Sequence, residues 1–498
     1  MLFPHATPFF WQGAQVMALP HGLNETRMLR NFGFEAPAPV AEHYHYPSRD
    51  QRPPFEVQVK TCSLATMCNR AYILNKMGTG KTRSALWSYD YLRQTGHARR
   101  ALIVAPLSTL RVVWQKEILS TLSHARVEVL VGTRDQRLKK LANPDAELFI
   151  VNHDGLEIIE SALAKMPDID TFILDEISAY RNARAQRSKV AQRLSLTRPW
   201  VWGLTGSPTP KAPTDAYGLA KLITPQSAPR SFTKFRQETM LEFGPFTWKP
   251  RKDAAEIVAG VLQPSVCYSL DDVVELPDLI MRPYDVQQGT RQQKIYKELL
   301  DHASALLKSG QVTAANGGVL VSKLLQTSCG YLYKDDHSAE TLDNDDRMDA
   351  MLDIIDGSDR KIIVFSPFIA GVKGIADRLA KEGEDFAVVT GATPQGERND
   401  IFRLFQDTNR YRVLVAHPQC MAHGLTLTAA DTIIWFSPTT SLEIFEQANA
   451  RITRVGQGFK QQIFMLQGTT AEKRRYAALR DRSNEQNSVL DELALLTE

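Results

Sequence analysis

Two series of short apolar bursts limit what this chain can fold into. The first includes "AYILNKM" (71–77), "ALIVAPL" (101–107), "ELFIVNH" (147–153), "DTFILDE" (170–176) and "VWGLTGS" (201–207). The second has "RKIIVFSPF" (360–368), "DFAVVTGA" (385–392), "RVLVAHP" (412–418), "ADTIIWFSP" (430–438) and "KQQIFMLQG" (460–468). Each burst is rich in β-branched and aromatic residues, ends in small, polar or charged ones, and is separated from the next by helical pattern. Continuous apolar strands alternating with helices require a parallel sheet covered on both faces. The expected fold class is therefore α/β, with two lobes that each bind ligands at the C-terminal ends of their strands.

Residues 226–346 between the series read as mainly helical ("RQQKIYKELLDHASALLKSG", 291–310) and end in an acidic connector, "DDHSAETLDNDD" (335–346). The expected division is an N-terminal accessory element at 1–50, a first lobe at 51–225, a helical insertion and connector at 226–346, a second lobe at 347–480 and a tail at 481–498. Within the accessory element "EHYHY" (42–46) alternates like a strand; its two histidines lack the further partners a metal site needs. Net charge is only +3, so any nucleic-acid surface must be a local patch. Five cysteines show no C-x-x-C pair and fit a reducing cytoplasm. The start, "MLFPHATPFFWQ", lacks a basic region followed by an apolar run, and no stretch reaches about 18 uninterrupted apolar residues. A cytoplasmic setting is expected.

Three segments carry chemistry. "NKMGTGKTRSAL" (75–86) follows a strand and opens a helix, the setting of a phosphate loop, although Asn75 stands where G-x-x-x-x-G-K-[ST] begins with glycine. Gly78 and Gly80 allow the tight turn that aims backbone N–H groups at a phosphate. Lys81 would reach the β- and γ-phosphates and the Thr82 hydroxyl a magnesium ion. Taken alone, the segment also fits a plain helix-start turn. "FILDEIS" (172–178) removes that alternative by ending a strand in two carboxylates: Asp175 can hold magnesium through water, and Glu176 can position or deprotonate the attacking water. In "FEQANARITRVGQ" (445–457), Gln447, Arg451 and Arg454 are spaced i, i+4 and i+7, one helix face, and the arginines suit the charge of a transferring phosphoryl group. They would act from across a cleft between the lobes.

In this order, over roughly residues 50–470, the segments resemble the superfamily-two helicases and, within them, the Swi/Snf-like branch of DNA-dependent ATPases. "PPFEVQ" (53–58) is similar to the segment whose glutamine, here Gln58, reads adenine. "LNKMGTGKT" resembles that branch's phosphate loop, where the first glycine is also absent, so that Met77, Gly78, Thr79, Gly80, Lys81 and Thr82 line the nucleotide. "LIVAPLSTLRVVWQKEI" (102–118) is like motif Ia, implying DNA contacts for Ser108, Thr109 and Arg111. "LDEISAYRN" (174–182) stands for motif II. "GLTGSPTP" (203–210) matches the motif that couples hydrolysis to lobe movement, through Thr205 and Ser207. "KIIVFSPF" (361–368) and "GATPQGERNDIFRLFQ" (391–406) look like motif IV and its sequel. "AHGLTLTAADTIIWFSP" (422–438) resembles motif V, with Gly424 at the nucleotide, and "QANARITRVGQ" the closing motif. Ala450 and Thr453 depart from an acidic residue and a histidine usual in the eukaryotic form, and motif II ends Ile-Ser. The compact length resembles phage and bacterial members.

The resemblance implies two RecA-like lobes, ATP and Mg2+ as cofactors, DNA, in duplex form, as partner, and a monomer. The implied function is an ATP-driven DNA translocase or remodeller. The alternative is a strand-separating helicase acting on forks or branched junctions, although no segment reads as a separation pin; a catalytically silent scaffold is the third. The basic segments "RDQRLKK" (134–140) and "AEKRRYAALRDR" (471–482) can meet phosphates or be solvated helix faces.

Overall fold

A computed structural model of the chain describes residues 6–244, 247–273, 277–308, 314–333, 338–421, 426–454 and 456–480. The chain divides into two compact units, with the boundary between Val273 and Val274. Strands of the two principal sheets are numbered here in chain order.

The first unit holds β1 (Arg70–Ile73), β2 (Arg100–Ala105), β3 (Val127–Val129), β4 (Leu148–Asn152), β5 (Ile169–Asp175), β6 (Trp200–Leu204) and β7 (Ser265–Val266). All are parallel, in the order β7-β1-β6-β5-β2-β4-β3. Alternate residues enter different cores. Ile73, Ile103, Ile150, Ile173 and Trp202 pack on one face, and Tyr72, Leu102, Phe149, Phe172 and Val201 on the other. Burial on both faces is why these strands read as unbroken apolar runs.

The second unit holds β8 (Leu279–Asp285), β9 (Lys361–Phe365), β10 (Phe386–Val389), β11 (Val413–Ala416), β12 (Ala430–Trp435) and β13 (Gln461–Gln467), parallel in the order β8-β13-β12-β9-β11-β10. Ile363, Leu414, Ile433 and Ile463 fill one face, and Ile362, Val364, Val413 and Ile434 the other. Each sheet, with its helices, is a RecA-like lobe.

The middle of the chain corrects the sequence reading. The helices Thr290–Lys308 and Ala314–Ser328 are there, but the same stretch also gives a strand to each sheet: β7 extends the first beside β1, and β8 edges the second beside β13. A two-residue strand leaves no periodic signal. Pro283 inside β8 argues against a strand in any sequence reading, and is tolerated because β8 is an edge. The hairpin Met240–Gly244 with Thr247–Pro250 also lies here, and Phe235, Val258 and Ala259 pack into the first unit's core. The acidic connector is described only from Ser338 onward, and residues 481–498 lie outside the described residues.

"EHYHY" is not a strand. Pro39 starts a short helix, Pro39–His43, after which Tyr44 and Tyr46 both turn into the first core, their rings 5.0 Å apart. The Tyr44 hydroxyl donates to the buried Asp90 carboxylate at 2.6 Å, so the alternation marks two anchors for the N-terminal segment rather than a β face. His21 and His43 meet at 2.9 Å, and among the described residues no group of three metal-ligating side chains gathers.

The second unit is bolted by Arg347 and Glu472, both essentially inaccessible to solvent, at 2.7 Å. Arg347 also donates to the Phe436 carbonyl at 2.5 Å, and Glu472 accepts from Gly468 N–H at 2.8 Å, tying the helix Asp345–Asp356 to the ends of β12 and β13. Glu472→Ala leaves a buried guanidinium without its counter-charge, so urea unfolding of the second unit is expected to show a loss of about 3–5 kcal/mol.

Candidate ATP site and the helicase C-terminal arginines

The phosphate loop grows out of the β1–β6–β5 arrangement. β1 delivers Asn75–Thr82, β5 delivers Asp175 and Glu176, and β6, between them, delivers Thr205–Ser207. Residues distant in sequence leave three adjacent strand ends, about 4.8 Å apart from one strand to the next.

Gly78 and Gly80 have φ of 85° and 82°, in the left-handed region that glycine enters without strain. Gly80 precedes the helix Lys81–Gln94, and a Cβ there would collide with the Gln58 side-chain amide. Gln58 itself is buried, and its Oε1 accepts from Phe55 N–H at 2.9 Å, fixing the side chain beside the loop. The Thr79 hydroxyl donates to Lys76 O at 2.8 Å, and Lys81 Nζ to the carbonyls of Asn75 at 2.5 Å and Lys76 at 3.0 Å. Met77, Gly78 and Thr82 are half-buried in the same turn.

Asn75 explains its own departure from glycine. It is 1% exposed; its Nδ2 donates to Thr61 Oγ1 at 2.9 Å, and its Oδ1 accepts from Tyr268 N–H at 3.1 Å. The Lys76 N–H donates to Tyr268 O at 2.7 Å. The side chain thus joins the loop to the helix Glu56–Met67 and to the segment after β7.

At the end of β5, Asp175 Oδ1 accepts from Glu176 N–H at 3.1 Å and Oδ2 from Trp114 Nε1 at 2.8 Å. Burial, then the neighbouring Glu176 charge, push the Asp175 carboxyl up to about 6, against the pull of the Trp114 hydrogen bond and of Lys81. Adjacent carboxylates favour a cation, and the oxygens of Asp175 and Thr82 are of the type that would hold a divalent ion. Glu176 has φ 51° and ψ 57°, a left-handed conformation costing a non-glycine residue of order 1 kcal/mol. Its Oε1 accepts from Thr205 Oγ1 at 2.7 Å and Ser178 Oγ at 3.0 Å, and Thr205 Oγ1 in turn accepts from Ser207 N–H at 3.1 Å. A Cβ on Gly206 would lie 3.7 Å from Lys81 Nζ, so the β6 turn passes near the lysine while Thr205 bonds the carboxylate.

In motif Ia the Thr109 hydroxyl is buried and donates to Pro106 O at 2.9 Å, Ser108 is half-buried and Arg111 exposed. Sequence reasoning missed Trp114 and Glu117 in this segment; Trp114 is an aromatic inside a quoted motif and was readable as core alone.

In the second unit the helix Leu442–Asn449 corrects the single face expected for Gln447, Arg451 and Arg454. Only Gln447 is helical; Arg451 and Arg454 lie in the turns beyond. The Arg451 N–H bonds Ala448 O, one residue short of helical register, and Arg451 Nε takes the vacated Gln447 carbonyl at 2.7 Å. Arg454 repeats the device on Ala450 O at 3.2 Å and donates to Thr426 Oγ1 at 3.1 Å; dry surroundings lower its pKa to about 10. Gln447 is buried, its Nε2 donating to Glu443 Oε1 at 3.2 Å. Gly424 lies outside the described residues.

Residues 58–332, more than half of the chain, match the family description "SNF2-related domain". The chain belongs to the SNF2-related family. Residues 346–456 match "Helicase conserved C-terminal domain", as a Swi/Snf-like member of helicase superfamily two requires. The SNF2-related chain is 25% identical to "Putative protein p41" of Acyrthosiphon pisum secondary endosymbiont phage 1, over 85% of this chain and 94% of that protein. It is 24% identical to an "Uncharacterized ATP-dependent helicase" of Mycoplasma pneumoniae, over 79% of this chain and 37% of the relative. To a SWI/SNF-related regulator of chromatin from Xenopus laevis it is 22% identical, over 78% and 39%. It thus spans nearly all of the phage protein and less than two-fifths of the other two. The solved Sulfolobus solfataricus SWI2/SNF2 ATPase core in complex with dsDNA superposes with a TM-score of 0.42 at 19% identity, covering 91% of this chain and 96% of that one.

Two outcomes follow for this site. Asn75→Gly restores the generic loop yet removes the amide that bonds the buried Thr61 hydroxyl and the part-buried Tyr268 N–H; thermal unfolding should show a loss of about 1–3 kcal/mol. A carboxyl raised from 3.8 to about 6 binds its proton more tightly in the folded state than in the unfolded one, so it favours folding at low pH and loses that advantage as pH rises from 4 to 6. Nucleotide-free protein in EDTA should therefore lose stability over that range relative to Asp175→Asn, with the difference constant above it.

Proposed function

We propose that the chain hydrolyses ATP at the first unit's strand ends and uses the cycle to translocate on duplex DNA. The observation that carries this reading is the convergence of Lys81, Asp175, Glu176 and Thr205 on three neighbouring strands. The loop N–H groups and Lys81 hold the phosphates, and Gln58 receives the adenine. Magnesium, held by Thr82 and Asp175, supplies charge neutralisation for the phosphates. Glu176 orients the attacking water and takes its proton as the water oxygen bonds the γ-phosphorus and the bridging oxygen leaves with ADP. The Thr205 hydrogen bond lets the β6 turn respond to the state of Glu176, which suits Thr205 and Ser207 to coupling. Arg451 and Arg454 are proposed as the second unit's arginine fingers, Gln447 as a further catalytic group and Gly424 as a nucleotide contact. Ser108, Thr109 and Arg111 are proposed to meet the DNA backbone, and the motor to work as a monomer in the cytoplasm.

Strand separation is the second reading, and one observation favours it. Residues Thr7–Trp11 and Ala14–Ala18 form a hairpin that exposes Phe10 at 77% and Trp11 at 61%, a shape suited to wedging between bases.

Glu176→Gln should bind ATP and hydrolyse it poorly, Lys81→Ala should also lose nucleotide affinity, and Arg454→Ala should keep ATP binding while turnover falls by about 10³. ATPase rates with duplex, single-stranded and forked DNA and with RNA test the substrate. Triplex displacement beside strand displacement separates the two readings, because unwinding without triplex displacement rules out the first.

A further inference from the structure

The segment from Leu107 to Thr121 has one end in solvent and the other behind the ATP site. Leu107 and Arg111 are exposed, whereas Trp114 is fully buried. Trp114 Nε1 donates to Asp175 Oδ2 at 2.8 Å. Three residues on, Glu117 accepts from Arg83 Nε at 2.6 Å, and Arg83 directly follows Thr82. One short segment therefore supports both residues to which the divalent ion is assigned, Asp175 by direct contact and Thr82 through its chain neighbour.

The backbone of this segment is unusual. Leu110–Gln115 winds as a π-helix before the α-helix Lys116–Thr121 begins. Such turns are rare and concentrate at functional sites, because the wider winding re-aims side chains that a regular helix would place elsewhere. Arg111 and Trp114, on the exposed and buried sides of the same turn, are three residues apart. A close-packed interior leaves the Trp114 ring no free rotamer, so a displacement of the turn moves the indole N–H with it. Hydrogen bonds weaken steeply when the donor angle closes, which makes the Asp175 contact sensitive to small rotations of the ring.

We propose that Trp114 is a positioning residue that couples nucleic-acid occupancy of Leu107–Arg111 to the ion-holding carboxylate of Asp175, with Glu117 and Arg83 as a second link to Thr82. The inference rests on the reading that motif Ia meets the DNA backbone. DNA on the exposed side sets the ring, and the ring sets Asp175. Binding linkage makes the effect reciprocal: magnesium and nucleotide at the site must change the affinity for DNA by the factor by which DNA changes theirs.

The test is Trp114→Phe in the full chain, which keeps the ring and removes the N–H. Affinity for a fluorescent DNA duplex is measured without nucleotide and with Mg2+ and a non-hydrolysable ATP analogue. The unsubstituted protein should show a nucleotide-dependent change within the roughly 5–150-fold range of allosteric coupling. In Trp114→Phe the ratio should fall to about one, with nucleotide-free DNA affinity retained and the Mg2+ concentration needed for tight analogue binding raised several-fold. Glu117→Gln, which loses only the second link, should reduce the ratio partially. An undiminished ratio in Trp114→Phe, or a parallel loss of nucleotide-free DNA affinity, overturns the coupling role. If the unsubstituted protein binds no duplex, the motif Ia reading fails instead, and with it the premise.

Discussion

Two like charges held side by side at the end of a buried strand are the constraint around which the first unit's site is built. Asp175 and Glu176 repel each other, and partial burial raises the Asp175 carboxyl. Each surrounding group answers that problem. Trp114 and the Glu176 N–H donate to Asp175, while Thr205 and Ser178 donate to Glu176. The strained backbone at Glu176 belongs to the same arrangement, since the left-handed turn brings its carboxylate to the Thr205 hydroxyl.

The second unit solves a different problem at the end of its helix Leu442–Asn449. A helix leaves its last carbonyls without N–H partners. Here Arg451 and Arg454 take those of Gln447 and Ala450 with their Nε groups, which helps to fix each guanidinium. An i, i+4, i+7 spacing was read as a helix face; in the structure it marks side chains folding back over a helix that has ended. Their support is a cap rather than a helical stripe.

Strands buried on both faces were legible in the chain because their burial writes itself as unbroken apolar runs, as in Leu102–Val104 and Ile362–Phe365. Strands with weak local signals were not: Ser265–Val266 is too short to show a period, and Leu279–Asp285 carries an edge-only proline. The alternation at Glu42–Tyr46 misled for the opposite reason, since two tyrosines anchored in one core imitate a β face. The candidate residues Lys81, Asp175 and Glu176 are readable from local motif chemistry, whereas the hydrogen bond of Trp114 to Asp175 is not. Its partner is 61 residues away, and a buried tryptophan normally needs no function beyond packing.

By itself the sequence determined the class of the fold and the family, since each depends on local pattern: apolar runs, glycines before a lysine, paired carboxylates after a strand. Tertiary structure alone decided that β6 lies between β1 and β5, which sets Thr205 on Glu176 and Gly206 beside Lys81. It also decided that position 75 needs an amide, because Asn75 bonds Thr61 and Tyr268, 14 residues before it and 193 after it. Such choices follow from strand order and close packing, which join residues without regard to their separation along the chain.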